Sequence, residues 1–293
     1  MKNLDRVKGA LYGVAVGDAM GAPLEFMSAG EIKAKHGGEP VREMLAGGWL
    51  NVEPGEITDD TQMTLAVAFG IAENPEDPVP AIGKRFVEWY DSRPKDIGNT
   101  CRSAIRQAKR DHADTREAWL TAGLLTSKMN GGRSGGNGAL MRTIYTGLFY
   151  EGEAVDTHTR DIAEMTHHDE ISTEICVFYA NLVQGAILDA DFSTCQYITH
   201  WLEENAMPER PSGWVKDSMN CALKSVSEKK SFEEAVVRAV NLGGDADTIG
   251  AITGGLAGAL HGFQSIPTRW IEKLDREVKR QLDELAKLAI GHQ

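Results

Sequence analysis

Glycine recurs at every fourth residue in two apolar segments, at Gly13, Gly17 and Gly21, and again at Gly250, Gly254, Gly258 and Gly262. Residues four apart lie on one face of a helix, so each segment, if helical, carries a strip of bare backbone. A glycine inside a helix costs roughly 1 kcal/mol relative to alanine. Repetition at this spacing therefore calls for a compensating gain, and close approach of another backbone is the simplest one. In membranes such strips mark dimer faces. The run 249–263, at about fifteen residues, falls short of the roughly twenty that span a bilayer. The expectation is that helices over 4–21 and 248–263 pass through the centre of a bundle, against one another.

The rest of the chain carries the same periodicity. Apolar residues at helical spacing predict further helices over 61–73, 81–91, 100–110, 115–129, 138–150, 155–166, 172–187, 193–204, 215–225, 231–240 and 267–290. Prolines cluster between them, at Pro75, Pro78 and Pro80 and at Pro208 and Pro211. No sustained alternation of period two appears, and no low-complexity linker divides the chain. The reading is all-α, as one domain over 1–293. A net charge of -12 argues against binding a phosphate backbone, and so against a nucleic-acid partner. Cys101, Cys176, Cys195 and Cys221 form no CxxC pair and are expected as reduced thiols. Lys2 and Arg6 before the apolar run 10–22 imitate a signal peptide, but Asp18 interrupts that run. A cytoplasmic protein with no transmembrane segment, acting as a monomer, is expected.

Two acidic clusters carry the chemistry. Thr58-Asp59-Asp60-Thr61 follows the Pro54-Gly55 turn and opens an apolar helix. Gly243-Gly244-Asp245-Ala246-Asp247-Thr248 opens the second glycine-striped helix. Each alone is consistent with a helix cap, since Thr and Asp accept orphan backbone N–H groups there. Together they supply four carboxylates and hydroxyls besides, an oxygen-only donor set that selects hard cations such as Mg²⁺ or Mn²⁺. An EF-hand is excluded, because Ile249 stands where a liganding Asp or Asn is required. A third element, Gly131 to Gly138 with the order Gly-Gly-Arg-Ser-Gly-Gly-Asn-Gly, matches neither a P-loop nor a dinucleotide fingerprint. Its backbone N–H groups suit a phosphate, and a plain surface loop is the alternative. Glu25, Asp96, Asn99 and His167-His168 are polar candidates with weaker individual signals.

In this order, Gly13–Phe26, Gly55–Leu65, Gly135–Arg142, Thr166-His167 and Gly243–Gly250 resemble the ADP-ribosylglycohydrolase family. The resemblance covers nearly the whole chain. Gly47-Gly48-Trp49-Leu50, the stretch 93–102 and the stretch 266–275 are similar to the branch that acts on ADP-ribosylated dinitrogenase reductase. The resemblance implies an all-α orthogonal bundle with two Mn²⁺ or Mg²⁺ ions held by Thr58, Asp59, Asp60, Asp245, Asp247 and Thr248. It implies substrate contacts from Gly98, Asn99, Gly135, Gly136, Asn137 and His167, with Trp214 towards the adenine. Asp96, Glu25 and Asp60 are the catalytic candidates. Ser134-Gly135 departs from the Asp-Ala usual in that branch, which bears on the loop's contacts.

The implied reaction is hydrolysis of the N-glycosidic bond between ADP-ribose and a modified arginine on a protein. The nitrogenase iron protein is the implied substrate, and a PII-type protein an implied regulator. A hydrolase of O-linked ADP-ribose and a non-catalytic ADP-ribose binder are the alternatives.

Overall fold

The computed structural model describes residues 2–188, 193–208, 210–228 and 231–291. Its helices are α1 (Leu4–Gly21), α2 (Ala29–Lys35), α3 (Asp59–Glu73), α4 (Pro78–Asp91), α5 (Asn99–Arg110), α6 (Arg116–Met129), α7 (Ile144–Phe149) and α8 (Glu153–Glu164). They continue as α9 (Glu170–Leu188), α10 (Ser193–Glu204), α11 (Val215–Ser227), α12 (Phe232–Val240), α13 (Ala246–His261), α14 (Thr268–Ile271) and α15 (Arg276–Gly291). No strand occurs among the described residues, only isolated bridges. The all-α expectation holds.

At the centre α1 and α13 run antiparallel with their glycine strips face to face. A Cβ on Gly9, Gly13, Gly17 or Gly21 would stand 2.4, 2.0, 1.9 or 2.2 Å from the carbonyl oxygens of Gly258, Gly254, Gly250 and Ala246 respectively. The apolar side chains on the remaining faces, Val7, Leu11, Val14 and Met20 on α1 and Ile249, Ile252 and Leu256 on α13, are buried on every side. A helix buried all round need not be amphipathic, and neither of these is. One residue of the predicted strip is corrected. Gly262 lies beyond α13 at φ +80°, where the helix ends, and Gly9 extends the α1 strip against Gly258.

Other departures have local causes. The predicted helix 138–150 is a 3₁₀ turn at Leu140–Arg142 followed by α7. The Arg142 guanidinium takes the Gly138 carbonyl that a continuous helix would give to the Arg142 N–H. The predicted helix 267–290 breaks into α14 and α15, because the Asp275 carboxylate caps Glu277 and Val278. The short α2, unpredicted, is set by a capping box between Ser28 and Glu31. By length and composition α9 is apolar enough to cross a membrane, with mean hydropathy 1.4, yet 61% of that stretch is buried against the fold. Cys101, Cys176 and Cys221 are buried free thiols, as expected; the side chain of Cys195 lies outside the described residues.

Candidate metal centre and cleft

Asp18 organises the first acidic cluster from the last turn of α1. Fully buried, it accepts the Thr58 N–H (3.0 Å), the Thr58 hydroxyl (2.8 Å) and both the N–H (3.1 Å) and hydroxyl of Thr61. Thr58 begins α3, yet its side chain caps nothing there. Asp245 begins α13, and its side chain caps nothing either. The capping alternative therefore fails at the leading residue of both clusters. Asp60 Oδ2 lies 3.2 Å from the Thr248 hydroxyl and 3.5 Å from the Thr58 hydroxyl, which joins the two helix starts. Asp60 Oδ1 is buried with no hydrogen-bond partner. Such an oxygen is costly unless something cationic meets it.

A second group of donors adjoins the first. Glu25, Asp245 and Asp247 each bring one carboxylate oxygen within 4.8 Å of the others. The loop holding Glu25 is tied to the Asp245 loop by Phe26 N–H to the Gly244 carbonyl (2.7 Å) and Gly244 N–H to the Met27 carbonyl (2.8 Å). Gly243 and Gly244 sit at φ +73° and +69°, a conformation in which a side chain is strained. Asp245 accepts the Asn137 amide at 2.7 Å, which anchors the glycine loop to the cluster. The Trp49 indole N–H donates to Glu25.

The electrostatics of this ensemble are one-sided. Burial pushes the Glu25 carboxyl up to about 8, against the Trp49 hydrogen bond and with the help of Asp245 and Asp96. Burial raises Asp18 to about 6, against its four hydrogen bonds. Asp59, Asp60 and Asp247 are raised well above the usual carboxylate range, first by burial and then by neighbouring carboxylates, with Asp96 leading for Asp59, Asp59 for Asp60 and Asp60 for Asp247. Among the residues lining the cleft Arg102 is the one strong cation. Buried, mutually repelling carboxylates with an orphaned oxygen fit a multivalent cation by charge and by donor type.

The cleft above them holds about 510 Å³ and is lined by Glu25, Asp59, Asp60, Asp245, Asp247 and Thr248 on its floor. Asp96, Gly98 and Asn99 at the start of α5 line it too, as do Gly136, Asn137 and His167. Thr58 lies behind the floor, buried against Asp18. Gly135 and Trp214 are outside the lining. Gly135 accepts the Val215 N–H, and Trp214, 45% exposed, bridges to Gly136. Asp96 accepts the Ile97 N–H and is raised by its partial burial, with Asp245 adding to the rise.

His167 is held low, at about 3, by burial and then by Arg142, so it is neutral at physiological pH. It supports rather than titrates: Cβ atoms on Gly136 and Gly138 would stand 3.2 and 3.0 Å from its ring, which is why the loop over it is bare. Arg142, wholly buried, donates to the carbonyls of Gly138 and Ile162 and to the Thr166 hydroxyl. Sequence reasoning missed Asp18, Trp49 and Arg142 as site residues. The available signal for Asp18 was its charge inside an otherwise apolar helix.

The family model described as ADP-ribosylglycohydrolase matches residues 1–293. The chain is 36% identical to the ADP-ribosyl-[dinitrogen reductase] glycohydrolase of Rhodospirillum rubrum, over 97% of each chain. It is 30% identical to the ADP-ribosylarginine hydrolase Tri1 of Serratia proteamaculans (strain 568), over 93% of this chain and 76% of that one. A solved structure of an ADP-ribosylglycohydrolase-related protein complex superposes with a TM-score of 0.77 at 29% identity, covering 99% of this chain and 98% of that chain.

Proposed function

The chain belongs to the ADP-ribosylglycohydrolase family, and from that premise we propose that it is a metal-dependent hydrolase that frees arginine on a protein from ADP-ribose. The observation that carries this reading is the buried, unpartnered Asp60 Oδ1, on a carboxylate whose other oxygen accepts the Thr58 and Thr248 hydroxyls, beside the Glu25–Asp245–Asp247 group. These two sets of donors suit two Mn²⁺ or Mg²⁺ ions, held by Thr58, Asp59, Asp60, Asp245, Asp247 and Thr248. Bound cations supply charge to neutralise the carboxylates, fix sugar hydroxyls and polarise a water.

The chain's own groups then manage the rest. Water adds to ribose C1″ as the C1″–N bond breaks through an oxocarbenium-like state. A guanidine leaves poorly unless it keeps its positive charge, so the departing nitrogen needs a proton and a nearby anion. Asp96, half-buried at the cleft wall, and Glu25 are the carboxyls within that region. Gly136 presents bare backbone to the cleft, suited to the diphosphate, while Asn137, its N–H given to the Gly213 carbonyl, holds the loop in place. The arginine linkage and a target such as dinitrogenase reductase are supported by the names of the two relatives.

Purified protein given an ADP-ribosylarginine peptide and an ADP-ribosylserine peptide, with Mn²⁺, with Mg²⁺ or with EDTA, tests the reading. Turnover of the arginine peptide that EDTA abolishes is expected. Turnover of the serine peptide alone, or full activity in EDTA, would sink it.

A further inference from the structure

Two large aromatic side chains stand at the rim of the cleft without an apolar core behind them. Phe26 is 68% and Trp49 53% exposed, and both line the cleft. Their ring centroids are 5.3 Å apart and the planes are tilted by 48°. Single exposed apolar residues are ordinary; this pair differs in how it is held. Phe26 has φ +63°, a left-handed conformation that its Cβ disfavours. It is kept there by hydrogen bonds linking Phe26 and Met27 to Gly244. Trp49 sits at the tip of a tight loop closed by reciprocal hydrogen bonds between Gly47 and Val52 at 2.8 and 2.9 Å. Gly48 of that loop touches residue 23 so closely that a Cβ would stand 2.7 Å from Pro23 Cα. The indole N–H is tied to Glu25, which fixes the ring beside Phe26 while it stays 53% exposed. Backbone strain maintained around exposed side chains points to use.

What the pair receives follows from its neighbours. Phe26 adjoins Glu25 in sequence and Trp49 bonds to it, so both rings lie beside the carboxylate cluster. A group reaching them must be attached directly to the reacting sugar. The adenine of ADP-ribose is separated from that sugar by a second ribose and a diphosphate, whereas the guanidinium is bonded to C1″. Aromatic faces carry negative potential and attract planar cations, Trp most strongly. Asp96, outside the proposed metal set, lines the same cleft.

Resting on the arginine reading above, we propose that Phe26 and Trp49 form a platform that stacks on the guanidinium of the modified arginine and selects a planar cationic leaving group. Free ADP-ribose carries every part of the substrate except that group, so it separates this role from a general one. In the whole protein, Phe26→Ala, Phe26→Leu and Trp49→Ala raise KM for an ADP-ribosylarginine peptide about tenfold, while the inhibition constant of ADP-ribose shifts by less than about twofold. Trp49→Phe, which keeps a ring face, recovers most of the loss. Phe26→Leu keeps apolar bulk, so its failure to bind separates stacking from mere contact. If KM and the ADP-ribose constant move together, or if neither moves, the platform is refuted while the arginine reading stands. If the wild-type protein does not hydrolyse the arginine peptide at all, the functional reading falls and this inference with it.

Discussion

Along most of their length α1 and α13 meet backbone to backbone; at one end the same two helices hold Asp18, Asp247 and Thr248 among carboxylates that repel one another. The first region admits no added atom. The second contains groups whose burial is unfavourable until a counter-charge arrives. A rigid, over-determined pair of helices is what allows the second region to persist, since strained or repelling sites survive only where the surroundings fix them. Stability and function are thus neighbours on the same two elements, with opposite responses to mutation.

The largest expected effect breaks the first region. Gly254→Leu or Gly17→Leu should abolish the folded state. Gly254→Ala, whose Cβ would stand 2.0 Å from the Gly13 carbonyl oxygen, should cost more than about 3 kcal/mol by urea denaturation. Melting like the wild type in these variants would dissolve the contrast. Next, Asp247→Ala should remove divalent-cation binding in calorimetry and lower turnover more than about a thousandfold. Its metal-free melting temperature should not fall below that of the wild type; full manganese-dependent turnover would break the assignment.

The smallest effect is a pH dependence of the metal-free protein. Glu25 at about 8 and Asp18 at about 6 are both raised above their ordinary values. Their contribution to stability is complete below the unfolded carboxyl range and is lost as pH rises through about 6 and then about 8. In EDTA the melting temperature should therefore drop by more than about 3 °C from pH 5 to pH 8. Saturating Mn²⁺ or Mg²⁺ should flatten the slope, and an EDTA profile that rises over this range would contradict the carboxylate burial.

Much of this contrast was legible in the sequence, because it rests on local patterns. Glycine at a spacing of four gave the face of each central helix, and adjacency of acidic residues at helix starts gave the donors. What was not legible depends on pairings far apart in the chain. Asp18 was read as an interruption of an apolar run; its four donors come from Thr58 and Thr61, some 40 residues away. Glu25 belongs to the tightest carboxylate group because Phe26 and Met27 bond to Gly244, a partner that no periodicity announces. Arg142 ended a helix by taking a carbonyl with its side chain, a competition that propensity does not register. The exposed aromatic rim was invisible for the same reason, since Phe26 and Trp49 meet only through the folds of their two loops.

The antiparallel seam has a consequence for how the molecule is made. About 240 residues separate Gly13 from Gly254, so the first helix is synthesised long before its partner. At ribosomal rates of roughly 5–20 residues per second, α1 waits on the order of 10–50 s with its apolar faces unclosed. Local hairpins such as α3 with α4 and α8 with α9 can form meanwhile, but the nascent chain has no finished interior until α13 emerges. Emergence of α13 is therefore the moment at which this protein can close its core, and holdase chaperones have the interval before it in which to act.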